Sequence, residues 1–420
     1  MRLIPFVALL YVAFFLDRVN VGFAALAMNR DLGFSPSVYG LGAGLLFLGF
    51  CAFAVPSSVL LQKFGARAWL FCTLMVWGAL SASTAFVTSP IEFYTLRFLL
   101  GMAEAGFVPG IVFYLTYWFP KGYRSQFTAW FLMAQPFAFV IGAPLSGFIL
   151  EMDGVAGLRG WQWMFLIEGL PSCALGIASL FLLPDGPRNA SWLSESEKGI
   201  IAARLAEDAP AEHSDLKFAL LDRRVILFGI VNMGVFFGLA GITLWLPLIV
   251  QGTGFSNLAT SFVVALPFAF AVVAMILWGR SSDKHGELIW HVALPLFVAA
   301  LGFAVASISS VNAVILTGLC LAVVGIYPSL SPLIGLPSSF LSGAAGAGGT
   351  ALVYAIGGMG AFLGPFVIGA LRERTGDYSA GMAALAASLV FSALLVLATG
   401  RAMVPARIRP TGMEAGKPSA

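Results

Sequence analysis

The stretch RFLLGMAEAGFVPGIVFYLTYWFP, residues 97–120, decides how this chain is read. It is apolar almost throughout and long enough to cross the roughly 30 Å hydrocarbon core of a bilayer. Yet it carries Arg97 and Glu104. A charge at the centre of a membrane helix costs about 2.5–3.5 kcal/mol on insertion scales, so it persists where a protected cavity shelters it and gives it work. The first apolar stretch repeats the anomaly with Asp17 and Arg18. Four such groups imply pairing inside a cavity and chemistry with ions or protons. The plainer reading is a pair of structural ion pairs that lock helices together.

Composition supports the membrane reading. Hydrophobic residues make up 59% of the 420, charged residues 10%, and the mean hydropathy is +0.92. That leaves too little polar surface for a soluble domain, so the solvent must be largely lipid. Spans are predicted at 4–28, 40–61, 68–88, 92–118, 126–150 and 162–183, then at 225–250, 259–279, 290–309, 312–334, 343–371 and 380–400. The first of these is long and charged, so it is expected as a retained span and not as a cleaved leader. The expected fold is an all-α membrane protein of twelve transmembrane helices in two six-helix bundles with internal pseudo-symmetry. Residues 1–183 form the first bundle, 184–224 a central loop, 225–400 the second bundle and 401–420 a tail.

Orientation follows from basic residues. Seventeen Lys and Arg fall on the side of the termini and central loop, against Arg30, Arg159, Arg372 and Arg374 on the other. Both termini and the central loop are therefore expected in the cytoplasm, in a bacterial inner membrane. Within the loop, Ser194 and Glu197 have capping-box spacing, which predicts a short surface helix.

The halves repeat at an offset of 221 residues. The loop after the second span reads Ser58-x3-Gln62-Lys63-x-Gly65, followed by Arg67. The loop after the eighth reads Gly279-x3-Asp283-Lys284-x-Gly286. The same shift carries Pro144 onto Pro365, and places Gly238, Gly318 and Gly325 opposite Asp17, Arg97 and Glu104. Such a duplication is the plan of a two-bundle transporter with its site near the midplane. The ionisable machinery is confined to the first half.

Arg97 and Glu104 are two helical turns apart, on one face and about 10 Å apart along the axis. Asp17 and Arg18 point about 100° apart, so each needs its own partner. Asn20 lies three on from Asp17, on a similar face. Arginine suits an anionic substrate, because its planar fork matches a carboxylate and stays charged when desolvated. Buried carboxyls suit protons, since desolvation favours the neutral acid and a nearby arginine favours the anion. Glu168, in GWQWMFLIEGLPS (160–172), is expected at a helix-packing or gate position. Gly101, Gly106, Pro109 and Gly110 should make the fourth span bendable, and Pro136 and Pro144 could kink the fifth. The glycine tract 343–349 lacks a lysine, so close packing is expected there and no phosphate cradle. Tyr354, a phenol at midplane, needs a partner and is a candidate substrate contact.

The runs LDRVNVGFA (16–24), RFLLGMAEAGFVPGIVFYLTYWFP, GWQWMFLIEGLPS and PDGPRNASWLSESEK (184–198) together resemble the anion:cation symporter branch of the major facilitator superfamily. The resemblance runs from the first span to the last. It implies a proton-coupled importer of organic carboxylates working by alternating access. On that pattern Arg18 binds the substrate carboxylate, Glu104 and Asp17 take protons, and Arg97 pairs with Glu104 or assists binding. Gln135 and Ser331 fall where relatives make polar contacts. Ser58 and Gln62 depart from the glycine and aspartate of the family's loop motif, which the second copy keeps. Tyr354 replaces a frequent asparagine and Phe15 a frequent tyrosine, which favours an aromatic or less hydroxylated carboxylate.

An anion exchanger or proton-driven exporter of the same fold is the alternative. An enzyme would need a nucleophile, metal cluster or cofactor motif, and none is present. The cysteines lack CxxC spacing and the three histidines lack ligand spacing. No cofactor or metal is expected. The expected partners are a small carboxylate, protons and the lipid bilayer, with no nucleic acid, and the expected state is a monomer.

Overall fold

A computed structural model describes residues 3–119, 121–206, 222–338 and 343–403. Twelve helices in it are long and apolar enough to cross a membrane. The first six spans are Leu3–Asp31, Pro36–Phe64, Ala66–Phe86, Pro90–Thr116, Met133–Leu150 and Gly160–Leu182. The second six are Arg223–Gln251, Asn257–His285, Ile289–Ile308, Asn312–Ile334, Gly349–Thr375 and Ser379–Gly400. The sequence places every one of them, because in lipid an unpaired backbone group is so costly that an apolar run of this length has little choice but helix. The tail expected at 401–420 lies outside the described residues beyond 403. The capping box of the surface helix Glu195–Ala206 also forms. Glu197 N donates to Ser194 Oγ at 3.3 Å, and Ser194 N to Glu197 Oε2 at 2.8 Å. These donors hold the Glu197 carboxyl below the usual carboxylate range.

The fourth and fifth spans accommodate their prolines differently. The fourth is broken into Pro90–Glu104 and Phe107–Thr116. Pro109 has no N–H to offer the Ala105 carbonyl, so the helix loses a rung where Gly106 can absorb the change. The break falls directly after Glu104. The fifth span, by contrast, runs in one helix, Lys121–Leu150, through Pro136 and Pro144. The glycine tract opens the helix Gly343–Thr375, and its side-chain packing lies outside the described residues.

The two halves meet along three seams: the second span against the eleventh, the fifth against the eighth, and the first against the seventh. Small residues make the approach possible. A Cβ at Gly44 would lie 2.6 Å from the Phe362 carbonyl, and one at Gly147 would lie 2.6 Å from Ser261 Oγ. Phe139 stacks on Phe268 with centroids 4.0 Å apart. Hydrogen bonds between the halves come from Ser35 and Ser37 to Glu373, from Tyr39 to Leu244 and from Cys51 to Ala355. Those of Ser35, Ser37 and Tyr39 lie toward the 32–35 and 376–378 connections, and that of Cys51 lies near mid-span. The molecule is sealed on that face, and no cross-half hydrogen bond joins the central-loop ends among the described residues.

The repeat takes different uses in the two halves. Gly318 backs onto the Gly302 carbonyl and Gly325 onto Pro295 and Ala299, so these positions let the ninth and tenth spans touch. Their counterparts Arg97 and Glu104 hold charge instead.

Candidate functional site

Asp17, Asn20, Arg97, Glu104 and Glu168 are all buried inside the first six spans, none more than 6% exposed. Arg18 alone among the charged members reaches outward, with 23% of its side chain accessible. Its Nε donates to Glu104 Oε2 at 2.7 Å. The guanidinium packs over Phe14 at 4.4 Å, Phe50 at 5.2 Å and Phe47 at 5.8 Å from the ring centroids. Rings in this arrangement hold the fork in plane by cation–π attraction. The Arg18 Nη2 is buried without a hydrogen-bond partner, as is Glu104 Oε1. One edge of the arginine is thus tied to Glu104 and a second donor is unspent.

This pairing corrects one expectation. The sequence offers Arg97, two turns back on the same helix, as the partner of Glu104; the structure gives it Arg18 from the first span instead. The two residues share a helix face, but a charge about 10 Å away along the axis cannot compete with one delivered at hydrogen-bond distance by an adjacent helix. Arg97, 2% exposed, forms no ion pair among the described residues, and its Nε has no partner. It sits in the field of Asp17, Glu104 and Tyr39.

Asp17 is served from elsewhere. Ser81 Oγ and Asn20 Nδ2 (3.1 Å) both donate to its Oδ1, while Oδ2 is unpartnered. The divergence of Asp17 and Arg18 therefore sends them to separate partners, as their adjacency demands. Asn20, expected among the substrate contacts, is fully buried against Asp17.

Sequence reasoning sets Glu168 aside, and the structure draws it in. Ser146 Oγ donates to its Oε1 at 3.2 Å, and the carboxyl lies beside Asn20 in the field of Asp17. The signal available was an acid in mid-span, the same cue that singles out Glu104.

Gln135 is half-buried, Ser331 exposed, and Tyr354 37% exposed with its ring 6.3 Å from that of Phe236. Among the described residues no hydrogen bond joins any of the three to the charged cluster. In the loop motif, Gly65 and Gly286 take a positive φ (79° and 59°), which glycine tolerates best. Arg67 bonds Asp185 at 3.2 Å and the Leu180 carbonyl, fastening the third span to the start of the central loop. Lys63, Asp283 and Lys284 are exposed, and Gly279 has open space around it.

A sheltered arginine with a spare donor, one acid gripping it and two more acids behind make an arrangement that can exchange an internal carboxylate for an external one. Known proteins identify the family. The family model of the Major Facilitator Superfamily matches residues 7–365. A candidate tartrate transporter of Agrobacterium vitis is 46% identical over 405 residues, covering 96% of this chain and 93% of that protein. The inner membrane transport protein RhmT of Escherichia coli (strain K12) is 37% identical, covering 94% and 92%. Among solved structures, the chain superposes on a bacterial homologue of the human lysosomal transporter Spinster, inward-facing and occupied, with a TM-score of 0.78 at 16% identity, covering 95% and 96%. A D-xylose–proton symporter gives 0.76 at 14% identity, covering 96% and 98%. At these identities the two structures speak for the fold alone.

Proposed function

The chain belongs to the Major Facilitator Superfamily and is a multi-pass membrane transporter, not an enzyme; from that premise we propose that it imports an organic carboxylate together with protons by alternating access. The observation that supports this reading most directly is Arg18: a partly accessible guanidinium flanked by three phenylalanine rings, tied to one acid and with a donor unspent.

On this reading the ion pair is the switch. Ionised Glu104 occupies Arg18 and competes with the substrate. Protonation of Glu104 releases the fork, which then takes the substrate carboxylate through two parallel N–H···O bonds. Loss of the proton on the opposite side restores the pair and expels the anion. Asp17, in electrostatic reach of both Arg97 and Glu104, supports the cycle as a second proton carrier. With the termini in the cytoplasm of the inner membrane, the sealed 32–35 and 376–378 face is external, and the structure is the inward-facing member of the cycle. The relatives' name favours a dicarboxylate of the tartrate kind, while the phenylalanines around Arg18 favour a less hydroxylated acid.

The test is uptake into proteoliposomes carrying the purified protein, with a panel of labelled carboxylic acids and an imposed gradient, acid outside. Concentration of one of these acids above its external level, abolished by a protonophore, is expected. Counterflow without any response to the gradient would instead identify an exchanger.

A further inference from the structure

Glu168 stands in the sixth span, toward its Gly160 end, and is 6% exposed. Its Oε1 accepts from Ser146, and its Oε2 has no partner. No ion pair reaches it among the described residues. Four elements pack on the sixth span: the first, the third, the fifth and the short turn Thr84–Phe86. The first contributes Asp17 and Asn20, and the fifth contributes Ser146. The third contributes Ser81 on Asp17, and the turn carries no ionisable group.

A charge count of the buried groups decides the matter. Arg18 and Glu104 neutralise each other, which leaves Arg97 to balance both Asp17 and Glu168. Two carboxylates against one cation would leave a net negative charge in a low-dielectric interior, and like charges at close range cannot both stay ionised there. Asn20 lies beside both acids: its amide nitrogen donates to Asp17, and Glu168 is within its reach.

We infer that Asp17 and Glu168 share one exchangeable proton, and that Glu168 is the proton-holding residue between Asp17 and the sealed face. The inference rests on the proton-coupled reading above and adds a third carboxyl to it. Loading takes one proton from water arriving at that face when it opens, forming an O–H bond on Glu168. Passage inward breaks that bond as an O–H forms on Asp17, so the cluster's total charge is unchanged. Asp17 in turn lies in electrostatic reach of Glu104. The three acids thus form a sequence running from the sealed face to the Arg18 site.

Glu168→Gln in the full-length transporter fixes the neutral form. Counterflow of labelled substrate should survive, because the Arg18 site is untouched. Accumulation driven by the pH gradient should fall several-fold, and the protons taken up per substrate, read with a trapped pH dye, should drop. Glu168→Gln that inserts normally and keeps the wild-type pH profile and proton ratio would overturn the inference. Ser146→Ala supplies an independent reading, since it removes a donor that favours the ionised form. The alkaline limb of the uptake profile should move to higher pH by about half a unit or more; an unmoved limb would also overturn it. Wild-type protein that shows no gradient-driven accumulation would defeat the proton-coupled reading itself, whereas coupled wild type with an indifferent Glu168→Gln defeats only this step.

Discussion

Replacing Glu104 by glutamine removes one charge from the centre of the first bundle and little else. The amide oxygen of the new side chain can still accept from Arg18 Nε across the 2.7 Å contact, so the side-chain position and the helix break behind it are preserved. Arg18 stays charged, so what disappears is the attraction between two opposite charges, a difference on the order of that between hydrogen bonds to charged groups, about 1.5–3 kcal/mol, and neutral ones, about 1 kcal/mol. Glu104 is fully buried, so solvent screens little of this difference, and the upper end of the range applies. Competition for Arg18 should therefore weaken by about 1–2 kcal/mol, which tightens substrate binding roughly five- to thirtyfold. The sign with pH follows. Wild-type affinity should be greatest where Glu104 carries a proton and should decline as pH rises and the ion pair re-forms; the variant's affinity should be flat with pH. Because the neutral side chain cannot release a proton inside, accumulation under an acid-outside gradient should vanish while counterflow persists. The assay is paired proteoliposome measurements of gradient-driven uptake and counterflow, with apparent affinity taken across a pH series. A variant that still concentrates substrate against its gradient, with wild-type pH dependence, would refute the assignment of the coupling proton to Glu104 and pass it to Asp17.

Arg18→Ala should abolish uptake while leaving membrane insertion intact, and Arg18→Lys should fail nearly as badly, because a point charge neither forms the two parallel bonds nor packs flat among Phe14, Phe47 and Phe50; near-normal transport by either, measured beside surface expression, counts against the anchor. Single cysteines at Ser191 and Pro410, in a background cleared of the four native cysteines, should react only from the cytoplasmic side and one at Gly376 only from outside, so external labelling at position 191 in intact cells would overturn the orientation. Glu373 fastens the sealed face by accepting from Ser35 Oγ and Ser37 N, both at 2.9 Å, at the start of the second span. Gly22 lies within the seam, where an added Cβ would sit in ordinary contact 3.4 Å from the Leu244 carbonyl. Glu373→Ala should raise the reactivity of a cysteine placed there toward an impermeant reagent added outside, and unchanged labelling would show that the apolar seam holds the face shut by itself.

The sequence alone determined the twelve spans, the duplication and the presence of charges inside the membrane. Each of these is a local property. Lipid forces every backbone polar group to be satisfied within its own segment, so hydropathy over some twenty residues is enough to find a helix, and a charge that interrupts it stands out. The same locality explains the capping box at Ser194 and Glu197, whose partners are three residues apart. Partnership across the bundle was not legible. Arg97 and Glu104 share a face, yet what pairs with Glu104 depends on the rotation and depth of the first span, which are set by packing contacts spread over many residues far apart in the chain. Only the tertiary structure delivered Arg18 to Glu104, placed Ser81 on Asp17, and brought Ser146 to Glu168 from 22 residues away along the chain. It also decided which end of the molecule is shut. Gly44 and Gly147 let the halves approach, and what they pack against exists only once the two halves have met.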